Sequence, residues 1–179
     1  MNKNLKKLIL AALFLAIGFV LPFFTGQIKE IGNMLLPMHI PVFLCGLICG
    51  FQYGFAVGFL LPLTRSLIFG MPTIYPNAAA MALELATYGL CIGLLFWNSK
   101  KQNTLALYRS LILSMLAGRA VWGVAQALML GFTDSPFTFS AFLAGAFLNA
   151  IPGIVIQLVL IPTLMIVLDR TGMLQFSKQ

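Results

Sequence analysis

The stretch Leu61–Tyr88, LPLTRSLIFGMPTIYPNAAAMALELATY, decides how the rest of the chain is read. It joins an apolar segment carrying Arg65, a connection rich in Pro and Gly, and a second apolar segment carrying Glu84. Ionisable side chains at membrane depth cost roughly 2.5–3.5 kcal/mol each on insertion scales, so they face a cavity, a partner or each other. Packing alone does not account for an Arg and a Glu on either side of one short connection. The hairpin is therefore the candidate core of a binding site.

The surrounding composition is that of an integral membrane protein. The 179 residues are 60% hydrophobic and 8% charged, against about 25% charged in a soluble domain. Backbone groups in lipid must be satisfied internally, which leaves helices or a closed barrel. The apolar runs are long and continuous rather than alternating, so the expected fold is all-α. At about 20 residues per span, the chain has room for one compact domain, 1–179, and none for a soluble catalytic or nucleotide-binding domain. The net charge of +7 fits the positive-inside rule better than a nucleic-acid partner. Cys45, Cys49 and Cys91 lie in apolar runs without a metal-ligand pattern, so no disulfide, metal site or cofactor is expected. Lys3, Lys6 and Lys7 precede an apolar run that reaches Pro22 and Phe23, which reads as a first span and not as a removed signal.

Six spans are expected, over about 8–24, 39–50, 55–69, 78–97, 107–132 and 139–168. The second is short, and Phe51-Gln52-Tyr53-Gly54 is read as the turn after it. The sixth is long and contains Pro152 and Pro162, so it is expected to tilt or kink. Lys3, Lys6, Lys7, Lys100, Lys101, Arg109, Arg170 and Lys178 fall on one side and only Lys29 on the other. This puts both termini in the cytoplasm and loops 25–38, 70–77 and 133–138 outside.

At 1.5 Å per helical residue, Arg65 lies roughly 7 Å and Glu84 roughly 10 Å below the outer face. Arg119 is nearer the midplane, Gln126 and Asn149 fall in the outer half or near the middle, and His39 starts its span at the outer surface. With Asn77 in the connection 70–77, a candidate lid, these residues form the candidate substrate-binding set. Apolar walls with a few convergent polar groups are what a small-molecule cavity needs. Each residue has a plainer role open to it. Arg65 and Glu84 can neutralise each other and staple two spans. Arg119 can bind backbone carbonyls, Gln126 and Asn149 can bond between helices, and His39 can be interfacial. Trp97 is expected at the interface and Trp122 in helix packing. Small residues four apart recur at Ala12–Ala16, Gly46–Gly50, Gly54–Gly58, Gly89–Gly93 and Ala141–Gly145, a spacing that lets helices approach closely. One His, no Ser/His/Asp set, no Walker motif and no paired acids give no catalytic constellation. Energy for uphill uptake must then come from a partner or an ion gradient.

On these features the chain resembles the substrate-binding S component of energy-coupling-factor (ECF) vitamin transporters. The resemblance rests on the basic N-terminus leading into Ala12-xxx-Ala16 and on a long outer loop before a short second span. It rests equally on the Gly-rich passage from Gly46 to Leu67, followed by Gly70-Met71-Pro72 and the Glu84 span. It implies a vitamin or precursor bound in an outward cavity built from the outer halves of spans 4–6 and the loops after spans 1, 3 and 5. It implies partnership with a transmembrane coupling subunit and two cytoplasmic ATPase subunits in the bacterial plasma membrane. Ala12 and Ala16 inherit the contact with the coupling subunit, and the protein is expected to topple in the bilayer to deliver its cargo.

Two intramembrane arginines against one glutamate favour a carboxylate, pantothenate first and niacin second, because an Arg fork pairs well with carboxylates. If Glu84 cancels one Arg and the other is structural, hydroxymethylpyrimidine or another vitamin fits equally, riboflavin or cobalamin types included. An autonomous secondary transporter would need an acid relay, for which one Glu is thin support. A membrane enzyme or scaffold would need a polar cluster at one interface.

Overall fold

A computed structural model describes residues 2–25, 34–131, 138–146 and 148–171. The described elements are all helical. Helix α1 spans Lys3–Val20, α2 His39–Cys49, α3 Phe51–Phe69, α4 Ala79–Trp97, α5 Thr104–Leu130, α6 Phe139–Ala146 and α7 Ile151–Arg170. The connection 26–33 with Lys29, the turn Thr133–Pro136, and Lys178 lie outside the described residues.

Among the described residues, four segments are long and apolar enough to cross a bilayer: Lys3–Phe24, Ile74–Trp97, Thr104–Leu130 and Phe142–Arg170. Helix α2 is apolar but has 11 residues, short of the usual span of about 20. It compensates by burial, for nearly all of it is covered by α1, α3, α4 and α7.

The expected turn 51–54 is corrected. Gly50 alone reverses the chain, with φ at 101°, a conformation that costs glycine little. Residues 51–54 are instead the first turn of α3. Helix α5 starts at Thr104, earlier than expected, because the Asn103 side chain caps it by accepting from the Ala106 N–H at 2.8 Å. The long last segment is broken: α6 ends at Ala146, a short turn covers Leu148–Ala150, and α7 starts with Pro152 in its first turn. Proline is tolerated there because its missing N–H has no intrahelical partner to lose.

Helices α2, α3 and α4 meet at backbone distance. A Cβ built on Gly89 would lie 2.2 Å from the Gly54 carbonyl, and one on Gly58 2.3 Å from the Leu85 carbonyl. The Gly54–Gly58 and Gly89–Gly93 spacings are thus spent on joining α3 to α4. Around this seam sits the core of Phe43, Leu47, Leu61, Leu85, Tyr88 and Ile92. Helix α1 buries Ala11, Phe14 and Gly18 against α2 and α3. Ala12 and Ala16 lie on its exposed side. Helix α7 packs sparsely on α5 and α2. Trp122 stacks on Phe142. Trp97, partly exposed, donates its indole N–H to the Leu47 carbonyl at 3.0 Å.

Candidate functional site

Glu84 is 1% exposed and lies in the first half of α4. Three side chains converge on its Oε1. Arg119 Nη1 of α5 is 3.0 Å away, and the Tyr88 hydroxyl, one turn further along α4, donates at 2.8 Å. His39 Nε2, from the first residue of α2, approaches to 3.6 Å. That last distance is longer than a hydrogen bond, so it is a contact of charge and dipole. The Tyr88 ring is held between His39 and Phe43, with centroids at 5.4 and 4.8 Å. Gly118 makes room for it, since a Cβ there would lie 2.2 Å from the ring.

A cavity of about 270 Å³ opens beside this cluster, between α5 and α7. Ile112, Met115 and Leu116 of α5 and Ile154 and Leu158 of α7 form its apolar wall. Tyr88, Arg119 and Gln157 supply its polar groups. Gln157 is 1% exposed and its Nε2 makes no hydrogen bond among the described residues. Both ring nitrogens of His39 and the Oε1 of Gln126 are in the same condition. Buried polar groups are paired in the great majority of cases. Among the described residues, unused hydrogen-bonding capacity thus lies on α2, α5 and α7.

The sequence-derived candidates divide. His39, Glu84 and Arg119 come together. His39 was expected at the outer surface but is buried, because α2 is short enough to be covered at its first residue. Gln126 is buried on α5, seven residues after Arg119 and hence on nearly the same helix face. Arg65 stands apart. The reading in which it pairs with Glu84 is corrected: among the described residues Glu84 has ion-pair partners only in Arg119 and His39. Arg65 Nη1 donates to the Phe19 carbonyl at 2.8 Å, in the last turn of α1. Its guanidinium lies over the rings of Phe23 and Phe69 at 5.3 and 5.2 Å. It thereby clamps α3 to α1, where unpaired terminal carbonyls and the helix dipole favour a cation.

Asn77 is half-buried in the one-turn helix Ile74–Ala78 and donates to Thr73 Oγ1 at 2.8 Å. Asn149 is exposed in the short turn before α7. The connection 70–77 is tied at two points: Ser66 donates to the Pro72 carbonyl, and the Tyr75 hydroxyl donates to the Met129 carbonyl near the end of α5.

Two members of the cluster are not singled out by the sequence reading. Tyr88 had a usable signal, since it follows Glu84 by four residues and so shares its helix face. Gln157 had one too, as a lone amide in an apolar run.

Helices of spanning length enclose a buried acid and a buried cation beside an apolar cavity, the architecture of a polytopic membrane protein. The chain belongs to the family of ECF transporter substrate-specific components, whose family model matches residues 6–165. No individual curated protein and no solved structure matches it. As a member of that family it is a membrane-embedded, substrate-binding part of a transporter and not an enzyme, and it works with other ECF subunits.

Proposed function

We propose that this protein captures a small water-soluble vitamin or vitamin precursor in the cavity between α4, α5 and α7. The Glu84–Arg119–Tyr88 cluster forms its polar wall. In this reading α2 and α3 complete a six-span bundle with both termini in the cytoplasm of a bacterium. The exposed Ala12–Ala16 side of α1 meets a transmembrane coupling subunit, and two cytoplasmic ATPase subunits supply the energy. The observation that carries the reading is the ion pair of Glu84 with Arg119, at 3.0 Å, inside the membrane domain and against a cavity. A purely structural pair is often no better than apolar packing, whereas a pair beside unpartnered amides has a use. His39, Gln126 and the connection with Asn77 are assigned to the outward side of the same site, and Asn149 to its rim.

The preference for a carboxylate such as pantothenate or niacin drew on two intramembrane arginines against one glutamate. Arg65 is engaged by Phe19 and two aromatic rings, and Glu84 occupies part of Arg119. The vitamin is therefore better sought by the chemistry of the cavity than by counting cations.

The test is extraction of purified, denatured protein and mass spectrometry of what is released. The wild type should release one small molecule in near-stoichiometric amount, and Arg119→Gln should hold at least tenfold less. Equal loading of the two proteins would show that the ligand lies elsewhere. Replacing Ala12 and Ala16 together by Leu should detach the coupling subunit while leaving the small molecule bound, and a complex that stays intact would remove α1 from the interface.

A further inference from the structure

We infer that the connection between α3 and α4 is seated in the membrane, with its apolar side chains at the boundary between lipid headgroups and acyl chains, and does not stand in water as an ordinary loop. The partner of this surface is the bilayer itself. The inference rests on membership of a membrane-embedded family and is independent of which molecule the cavity holds.

Composition is the first observation. From Ser66 to Leu83 there is no Lys, Arg, His, Asp or Glu. The connection at the other end of α4, residues 98–103, reads NSKKQN and exposes Lys100 and Lys101. The two ends of one helix are thus built for different surroundings.

Exposure is the second. Leu67 and Ile68 in the last turn of α3, and Met71, Ile74 and Tyr75 after it, are each half or more exposed. Apolar surface is unfavourable in water in proportion to its area, and contiguous apolar patches mark a surface that meets a partner or a membrane.

The third observation is where the polar groups go. The buried Ser66 hydroxyl donates to the Pro72 carbonyl, Asn77 Nδ2 donates to Thr73 Oγ1 at 2.8 Å, and the Tyr75 hydroxyl donates to the Met129 carbonyl. The Gly70 N–H donates to the Ser66 carbonyl at 2.9 Å and the Ala78 N–H to the Thr73 carbonyl at 2.8 Å. Pro72 and Pro76 have no N–H to satisfy. These polar groups are bonded within the protein while the apolar side chains are left outside. Lipid demands this distribution, because polar groups among acyl chains find partners only within the protein. Tyr75 shows it in one residue: its ring is exposed and its hydroxyl is tied to α5.

Continuity is the fourth. The apolar segment long enough to cross a bilayer begins within the connection, at Ile74, and runs through α4 to Trp97. The exposed patch therefore extends the lipid-facing surface of a spanning segment.

The experiment uses the full-length protein in nanodiscs of phosphatidylcholine and phosphatidylglycerol, without other subunits. A nitroxide is attached at the cysteine introduced by Ile74→Cys, Met71→Cys or Lys100→Cys. Cys45 and Cys49 are buried, and unsubstituted protein labelled in parallel corrects for uptake at Cys91. Power-saturation EPR compares access by oxygen, which concentrates in lipid, with access by a water-soluble nickel chelate. At positions 74 and 71 oxygen should dominate, with a depth of about 5–10 Å into the headgroup and acyl boundary. At position 100 the chelate should dominate. Chelate access at positions 74 and 71 equal to that at position 100 overturns the inference. So does low access by both reagents, which would put protein against the patch, a second copy where the spectrum shows dipolar broadening. Both connection positions are exposed, so each substitution is expected to fold, and either one alone decides the question. No outcome here bears on capture of the small molecule, which mass spectrometry reads separately.

Discussion

Two arginines are buried in this protein, and they are satisfied in opposite ways. Arg65, near the C-terminal end of α3, donates to a backbone carbonyl of α1 and is flanked by two aromatic rings. Arg119, in the middle of α5, is paired with the Glu84 carboxylate and borders a cavity. The partners of Arg65 are fixed groups of the scaffold and need no ligand. The partner of Arg119 is one member of a cluster with hydrogen-bonding capacity to spare. The same residue type is a clamp in one place and, in the proposed function, a reader in the other. A count of charges along the sequence sets both arginines against the one glutamate, and that excess is what favoured an anionic substrate.

The comparison is broken most forcefully at Glu84. Glu84→Gln leaves the Arg119 cation buried without a counter-charge, a type of change that costs about 3–5 kcal/mol. Chemical denaturation in detergent should show that loss together with loss of the bound molecule. Glu84→Gln combined with Arg119→Gln should recover part of the stability, because both charges leave together. A double variant as unstable as the sum of its parents would mean that the two residues do not act as a pair.

Arg65→Gln is the matching test on the other side. It removes a charge-assisted hydrogen bond to Phe19, worth about 1.5–3 kcal/mol, and should loosen α1 from α3. Retention of the small molecule should stay within about twofold of the wild type once the protein is folded, since one RT-scale change in binding is of that order. A tenfold loss of ligand at unchanged stability would make Arg65 a reader as well and would restore the case for an anion.

How much of this was legible in the sequence follows from what a sequence measures. Helices and their apolar character are one-dimensional quantities, and they were readable. Arg65 and Glu84 were placed at similar depth. Whether they touch depends on how each helix is rotated about its axis, and that is set by which glycines meet. Nothing in the spacing of Gly54 and Gly58 says that their partners are Gly89 and Leu85 of α4. The pairing of Glu84 with Arg119 across α4 and α5 was hidden for the same reason. The enclosure of His39 was hidden because a span's first residue is normally interfacial, whereas α2 is short and covered by its neighbours. The turn at Gly50 was blurred because Gly54 offered a second glycine, which the fold spends on close packing against α4 instead.

Tyr88→Phe sharpens the Arg119 side. It deletes one hydrogen bond to Glu84 Oε1 and keeps the ring between His39 and Phe43. A loss of about 1 kcal/mol is expected, because Arg119 still holds the carboxylate. If the loss equals that of Glu84→Gln, the hydroxyl and not the guanidinium is the principal partner.

The smallest expected effect lies on the Arg65 side, at Phe69. Its ring faces the Arg65 guanidinium at 5.2 Å, and it also contacts Phe19 and Phe23 edge-on. Phe69→Leu keeps an apolar side chain but removes the π face, so the loss attributable to the cation is about 0.5–1 kcal/mol. The single variant alone cannot separate this from the ring–ring contacts. A double-mutant cycle with Arg65→Gln does so: in the Arg65→Gln background the cation contribution is already gone, and Phe69→Leu should cost less by that amount. An equal cost in both backgrounds would assign Phe69 to aromatic packing and leave the Phe19 carbonyl as the principal partner of the clamp. In either case the cycle should leave ligand retention unmoved, because the rings of Phe23 and Phe69 belong to the joint between α1 and α3 and not to the cavity beside Arg119.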